Sequence, residues 1–210
     1  MKVKVCGMKY EDNIMSVSGL KPDYMGFIFY QRSKRNFDGP LPLIDKGIKK
    51  VGVFVNEDFE TLRDCVHKYQ LDAIQLHGDE SAVECARIKR EMPGLELIKA
   101  FAMSGSFEFG QLEAYLTNCD YFLFDTKGKE RGGNGTLFDW SILEDYTYQK
   151  PFFLSGGIGL EEIAALKKFL KSDSAVNCQV IDVNSKFEIE PGLKNTEELK
   201  TFVEFIEKEK

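Results

Sequence analysis

Eight short runs rich in valine, isoleucine and phenylalanine recur along this chain, and stretches of helical period separate them. The runs lie at 2–6 (KVKVC), 24–29 (YMGFIF), 50–55 (KVGVFV), 72–76 (DAIQL), 96–101 (ELIKAF), 120–125 (DYFLFD), 151–155 (PFFLS) and 178–183 (CQVIDV). Runs this short and this apolar suit strands buried on both faces, as strands of a parallel sheet are. Parallel neighbours need crossover connections, and the intervening segments supply apolar residues at i, i+3, i+4 and i+7. After Asp58, a candidate N-cap, the stripe is Phe59, Leu62, Cys65, Val66 and Tyr69. Near the C-terminus Asn195 can cap, Glu198 follows three residues on, and Leu199, Phe202, Val203 and Ile206 form the stripe. The connection between the second and third runs is the weak one, because Pro40 and Pro42 crowd its start. No antiparallel hairpin signal is read in the alternation. Eight units in 210 residues, with no linker, repeat or low-complexity stretch, predict a single (β/α)8 barrel domain over 1–210. An open doubly wound sheet is the alternative.

Charge and cysteine content narrow the function. The chain carries 28 basic and 34 acidic side chains, and no long basic block. Affinity for nucleic acid or an anionic membrane needs clustered Lys and Arg, so neither partner is expected. Five cysteines without a CxxC pair, and only two histidines, argue for free thiols in a reducing compartment and against a zinc site. Apolar runs fall far short of the ~18 residues of a membrane span. The MKVKVCG start leaves no room for a signal peptide. The expectation is a soluble cytoplasmic protein without a metal.

A barrel places its active site at the C-terminal ends of its strands. Cys6 ends the first run, Asp125 the sixth, and Asp182 lies at the end of the eighth; Arg35 follows the second and His77 the fourth. Side chains alternate along a strand, so Val3 and Val5 face the helices while Lys4 and Cys6 face the barrel interior. An ammonium below a thiol favours the thiolate, although Lys4 could equally pair with an interior carboxylate while Cys6 merely packs. Asp125 is either a loop anchor or a general acid or base. To act as an acid near neutral pH it must keep its proton well above the usual carboxyl value of about 3.9. Lys127 nearby pulls the other way.

Ser155-Gly156-Gly157-Ile158-Gly159 leaves the seventh run and opens a helix predicted over 160–170. Adjacent glycines let backbone N–H groups approach an anion, and barrel loops after strands seven and eight form the common phosphate site. Asp182, Asn184 and Ser185 follow the eighth run and complete the candidate phosphate grip with Gly156 and Gly157. Neither a dinucleotide fingerprint nor a P-loop is present. The glycine-rich segment 128–135 reads as a mobile loop near the site. Arg35, in the cluster Arg32-Ser33-Lys34-Arg35, can clamp a carboxylate bidentately or simply be solvated. His77 is a turn residue or a ligand-facing donor.

Taken in order, these segments resemble the phosphoribosylanthranilate isomerase family. The likeness runs through Lys4-Val5-Cys6-Gly7, Gly26-Phe27-Ile28-Phe29, Ser33-Lys34-Arg35, Gln75-Leu76-His77-Gly78-Asp79-Glu80 and Phe124-Asp125-Thr126. It continues through Gly132-Gly133-Asn134-Gly135, Phe138-Asp139-Trp140, Ser155-Gly156-Gly157, Asp182-Val183-Asn184-Ser185 and Pro191-Gly192-Leu193-Lys194. The resemblance implies an Amadori rearrangement of a small phosphoribosyl substrate. It implies Asp125 as general acid, Cys6 as general base, Arg35 on the anthranilate carboxylate and His77 lining the site. It also implies a monomer without cofactor. Asn184-Ser185-Lys186 stands where the family commonly has Ser-Ser-Gly, and Asn134-Gly135-Thr136-Leu137 where Thr-Gly-Lys-Thr is usual. Two rivals remain: another phosphoribosyl-amine barrel isomerase, which would use a pair of aspartates, and a non-catalytic sugar-phosphate binding barrel.

Overall fold

A computed structural model describes residues 1–126 and 138–209. The predicted loop over 128–135, Lys127 and Asn134-Gly135-Thr136-Leu137 lie outside the described residues. Eight parallel strands close into a barrel in sequence order. They are β1 (Lys2–Val5), β2 (Tyr24–Ile28), β3 (Lys49–Phe54), β4 (Ala73–Leu76), β5 (Glu96–Met103), β6 (Tyr121–Thr126), β7 (Phe152–Leu154) and β8 (Cys178–Val183). Closure comes from β1 against β8, in a register that sets Lys4 opposite Asp182 and Val5 opposite Val183. The (β/α)8 architecture expected from the eight runs is the one observed.

Alternation along the strands sorts side chains as the pleat requires. Val3 and Val5 point outward into the layer between barrel and helices. The inward layer is Tyr24, Val51, Ala73, Ile98, Ala100, Leu123, Phe153 and Val180, contributed by seven of the eight strands. Above it, toward the strand C-termini, sit Cys6, Ile28 and Val53.

The outer ring is less regular than the sequence suggests. Helices α1 (Glu11–Ser18), α2 (Phe59–Tyr69), α3 (Ala82–Glu91), α4 (Ile163–Leu170) and α5 (Thr196–Lys208) are present. Asp58 caps α2 through Thr61 N, Ser81 and Glu84 form a reciprocal capping box on α3, and Asn195 caps α5 through Glu198 N. The β5–β6 and β6–β7 connections, however, hold 3₁₀ turns at Phe109–Tyr115 and Trp140–Asp145, and the described chain between β2 and β3 holds no helix. Aromatic rings take over the covering role there. Phe101, Phe107, Phe109, Phe122, Phe124, Tyr146 and Phe152 pair at 5.0–6.5 Å across β5 to β7. Phe29, Phe37, Phe54 and Tyr69 do the same outside β2 and β3. A ring buries 150–250 Å², so a few replace a helical face.

One element contradicts the sequence reading. An antiparallel hairpin, β9 (Glu188–Glu190) and β10 (Leu193–Lys194), follows β8. Its turn is Pro191-Gly192, with Gly192 at φ +91°, a conformation that favours glycine. The hairpin was missed because its strands are two and three residues long.

Candidate active site

The strand C-termini surround an open cleft of about 690 Å³ including its mouth. Eight of the nine predicted site residues line it: Cys6, His77, Asp125, Gly156, Gly157, Asp182, Asn184 and Ser185. Arg35 is the exception. Its guanidinium is held at the rim by Glu188, with Nε 2.8 Å from Oε1 and 3.0 Å from Oε2, and a terminal nitrogen 2.6 Å from Oε2.

Inside the barrel β4 climbs from Ala73 to Gln75, with His77 just past its end, and β8 from Val180 to Asp182, with Asn184 just past its end. Each step of two residues returns to the same face, so these polar side chains rise in register above the apolar layer. Lys4 is fully buried and donates to Asp182 Oδ2 at 2.8 Å and to Gln75 Oε1 at 2.7 Å. The interior carboxylate anticipated for Lys4 is therefore Asp182, and the Lys4 charge also acts on the Cys6 thiol. Burial works to lower the Lys4 pKa, but the charge of Asp182 and the contact with Cys6 outweigh it and hold the ammonium charged. Burial likewise pushes the Cys6 thiol up; Lys4 opposes this without reversing it. Gly26 makes the thiol's place, since a Cβ there would lie 2.8 Å from Cys6 Sγ.

Across the cleft, His77 Nε2 stands 3.2 Å from Asp125 Oδ2, and Thr126 N donates to Asp125 Oδ1 at 2.9 Å. Gln75 Nε2 lies 2.8 Å from His77 Nδ1. A base candidate just past β1 and an acid candidate on β6 thus face one cleft, and Asp125 is linked through His77 and Gln75 to Lys4.

The cradle is separate. Gly156 and Gly157 take φ +92° and +65°, and Gly156 seats so close to the end of β6 that a Cβ would strike Thr126. Helix α4 begins at Ile163 rather than at 160, because residues 158–162 complete the turn first. Asn184 Oδ1 accepts from Lys194 Nζ at 2.6 Å. Lys186, in the 3₁₀ turn Ser185–Phe187, also lines the cleft and has no positive φ to tolerate. Asp182 does not join this group. Its side chain is an acceptor bound to Lys4, its second oxygen, Oδ1, is buried with no partner among the described residues, and burial raises its carboxyl against the pull of Lys4. Its contacts group it with Lys4 and Gln75 on the floor of the cleft.

Sequence reasoning passed over Gln75, Glu188 and Lys194. Lys194 is buried between Glu188, at 2.7 Å, and Asn184, and burial lowers its pKa to about 8 although Glu188 opposes. The i, i+2 spacing of Gln75 and His77 was the available signal.

A model of the family described as N-(5′phosphoribosyl)anthranilate (PRA) isomerase matches residues 3–205. This chain belongs to that family. A Parabacteroides distasonis protein named N-(5′-phosphoribosyl)anthranilate isomerase is 43% identical over 98% of this chain and 93% of its own. A solved phosphoribosyl anthranilate isomerase in complex with reduced 1-(o-carboxyphenylamino)-1-deoxyribulose 5-phosphate is 28% identical and superposes with a TM-score of 0.76 over 99% of both chains. A Thermotoga maritima structure described as monomers generated from dimeric phosphoribosylanthranilate isomerase is 27% identical, also with a TM-score of 0.76, over 99% of this chain and 98% of that one. This phosphoribosylanthranilate isomerase brings a cysteine, an aspartate and paired glycines to one cleft. Among its described residues no three His, Cys, Asp or Glu side chains are placed to hold a metal ion.

Proposed function

We propose that Asp125 and Cys6 carry out, as acid and base, the isomerisation of N-(5′-phosphoribosyl)anthranilate to 1-(2-carboxyphenylamino)-1-deoxyribulose 5-phosphate. Asp125 gives a proton to the furanose ring oxygen as the C1′–O bond breaks and the anthranilate nitrogen closes a C1′=N double bond. Cys6 then removes the C2′ proton, and the released pair forms an enolamine that tautomerises to the C2′ ketone. C1′ is reduced and C2′ oxidised within one molecule, so proton transfer alone balances the reaction. The observation that carries the reading is the placing of Cys6 and Asp125 at one cleft, from different strands, beside a glycine turn suited to phosphate. The backbone at Gly156 and Gly157, with Asn184 and Ser185, receives that phosphate. Arg35, oriented by Glu188 at the rim, receives the anthranilate carboxylate, and His77 supports Asp125.

The whole chain forms one domain, since β1 and β8 pair to close the barrel. It works as a cytoplasmic monomer. Its exposed large hydrophobic residues, among them Met15, Leu43, Val83, Val176 and Ile189, are dispersed along the sequence, and no described helix is long and apolar enough to cross a membrane. The dimeric Thermotoga relative makes sedimentation the check on the oligomeric state. The decisive assay follows loss of anthranilate fluorescence when the protein meets phosphoribosylanthranilate. Turnover is expected in the parent and reduced about 10²–10⁴-fold by Cys6→Ser; an inactive parent that still binds the product would leave only a sugar-phosphate binding barrel.

A further inference from the structure

Gln75 is a buried amide inside the barrel, 1% exposed, and the chemistry above does not use it. Its two polar atoms have opposite characters, and its neighbours permit a single assignment. An ammonium has hydrogens and no lone pair, so the Gln75 atom 2.7 Å from Lys4 Nζ is the acceptor Oε1. A carboxamide is planar, so fixing Oε1 also fixes Nε2, which lies 2.8 Å from His77 Nδ1. Nε2 has only hydrogens to offer. His77 Nδ1 is therefore the bare nitrogen, and the single ring hydrogen sits on Nε2, 3.2 Å from Asp125 Oδ2. The direction of each hydrogen bond from Lys4 to Asp125 follows from the charge on Lys4, which Asp182 secures from its other side.

We propose that Gln75 is a positioning residue of this site, holding His77 as the Nε2–H tautomer that donates to Asp125. When Asp125 gives up its proton, the carboxylate left behind already faces two donors, His77 Nε2–H and Thr126 N–H. Donors fixed in place need no reorganisation as charge develops. With the tautomer reversed, a bare Nε2 would face that carboxylate and repel it. The catalytic consequence rests on the reading of Asp125 as the acid; the tautomer does not.

The chain has two histidines, His67 and His77, so long-range ¹H–¹⁵N correlation spectra of the whole protein are assignable with a His67→Gln control. In the parent the His77 ring should show a bare Nδ1 and a protonated Nε2. Gln75→Glu keeps an acceptor for Lys4 but offers His77 a second acceptor, so Nδ1 should become protonated. In the same variant kcat should fall about 10–100-fold, by analogy with the loss of a partner that orients a metal-bound histidine, with KM nearly unchanged. Gln75→Met, which keeps volume and loses both bonds, serves if the glutamate variant does not fold; it should show mixed tautomers and the same loss of kcat. The proposal is overturned by a protonated Nδ1 in the parent, by an unchanged tautomer in the variant, or by a reversed tautomer with parental kcat. Failure of the Asp125 reading looks different: Asp125→Asn would retain kcat while the parent's His77 spectrum stayed as described.

Discussion

The lower and upper halves of the barrel interior are built from the same strands and face the same axis, yet they share almost no chemistry. Below lie Val51, Ala73, Ile98, Leu123, Phe153 and Val180, wholly buried and apolar. Two residues further along their strands, about 6.6 Å higher, Ala73 gives way to Gln75, Leu123 to Asp125, Phe153 to Ser155 and Val180 to Asp182. The lower half gains stability from area removed from water. The upper half has buried an ion pair, a thiol and an amide, which is weak support for stability and strong support for a fixed arrangement. The two halves should therefore fail differently when damaged.

The largest effects belong to the upper half and should appear in rate alone. Cys6→Ser and Asp125→Asn are each expected to lose about 10²–10⁴-fold in kcat, the range for a general acid or base, while unfolding at nearly the parental denaturant midpoint. Serine matches the thiol in shape but is far less acidic, so it is a poor base. A Cys6→Ser enzyme with parental kcat would remove the cysteine from the chemistry and dissolve the contrast between the halves.

Phe153→Ala is the converse. Phe153 sits between Tyr24 at 5.4 Å and Tyr121 at 5.2 Å, and a cavity there is expected to cost roughly 3–5 kcal/mol. Below its lowered melting temperature the variant should turn over at the parental rate. A loss of kcat comparable to the loss of stability would mean that the lower layer shapes the site directly.

Lys4→Met crosses the divide, because Lys4 belongs to both accounts. It leaves Asp182 buried without its cation, a loss of about 3 kcal/mol or more. It also removes the charge that draws the Cys6 thiol downward, so alkylation of Cys6 should move to higher pH than in the parent. Stability lost without movement of the alkylation profile would make Lys4 a structural residue only.

How much of this contrast could be read from the sequence follows the same line. The strands were legible because a buried strand needs an uninterrupted apolar run, and the layer facing the axis followed from alternation along β1. Helices with a stripe and a cap, such as α2 and α5, were legible too. The connections where Phe109, Tyr146 or Phe37 do a helix's covering work were not, since ring packing has no period. At the site, Cys6 and Asp125 stood out as reactive groups at strand ends. Gln75 did not, because an amide acquires a role only through what its two ends touch, and Lys4 and His77 meet it from different distances in sequence. Glu188 was hidden for a similar reason: its partner Arg35 is far away in the chain, and the hairpin that carries it is very short.

The smallest expected effect comes from that same Glu188, and it separates the polar half from the apolar one by pH rather than by magnitude. Burial acts to raise the Glu188 carboxyl, but the bidentate contact with Arg35 and the charge of Lys194 outweigh it and hold the group below its ordinary value of 4.5. A carboxyl lowered in the folded state stabilises the fold above the unfolded value and loses that contribution as pH falls through the folded one. Parental stability should thus decline below about pH 4.5 partly through this residue. Glu188→Gln is uncharged throughout, so its urea midpoint should lie below the parent's at neutral pH and approach it in acid. Phe153→Ala, by contrast, should keep a constant gap across the same range, since no proton is involved in filling a cavity. A Glu188→Gln gap that does not change with pH would mean that the carboxylate contributes by shape and hydrogen bonding alone, and that the charged character of the upper half stops at Lys4 and Asp182.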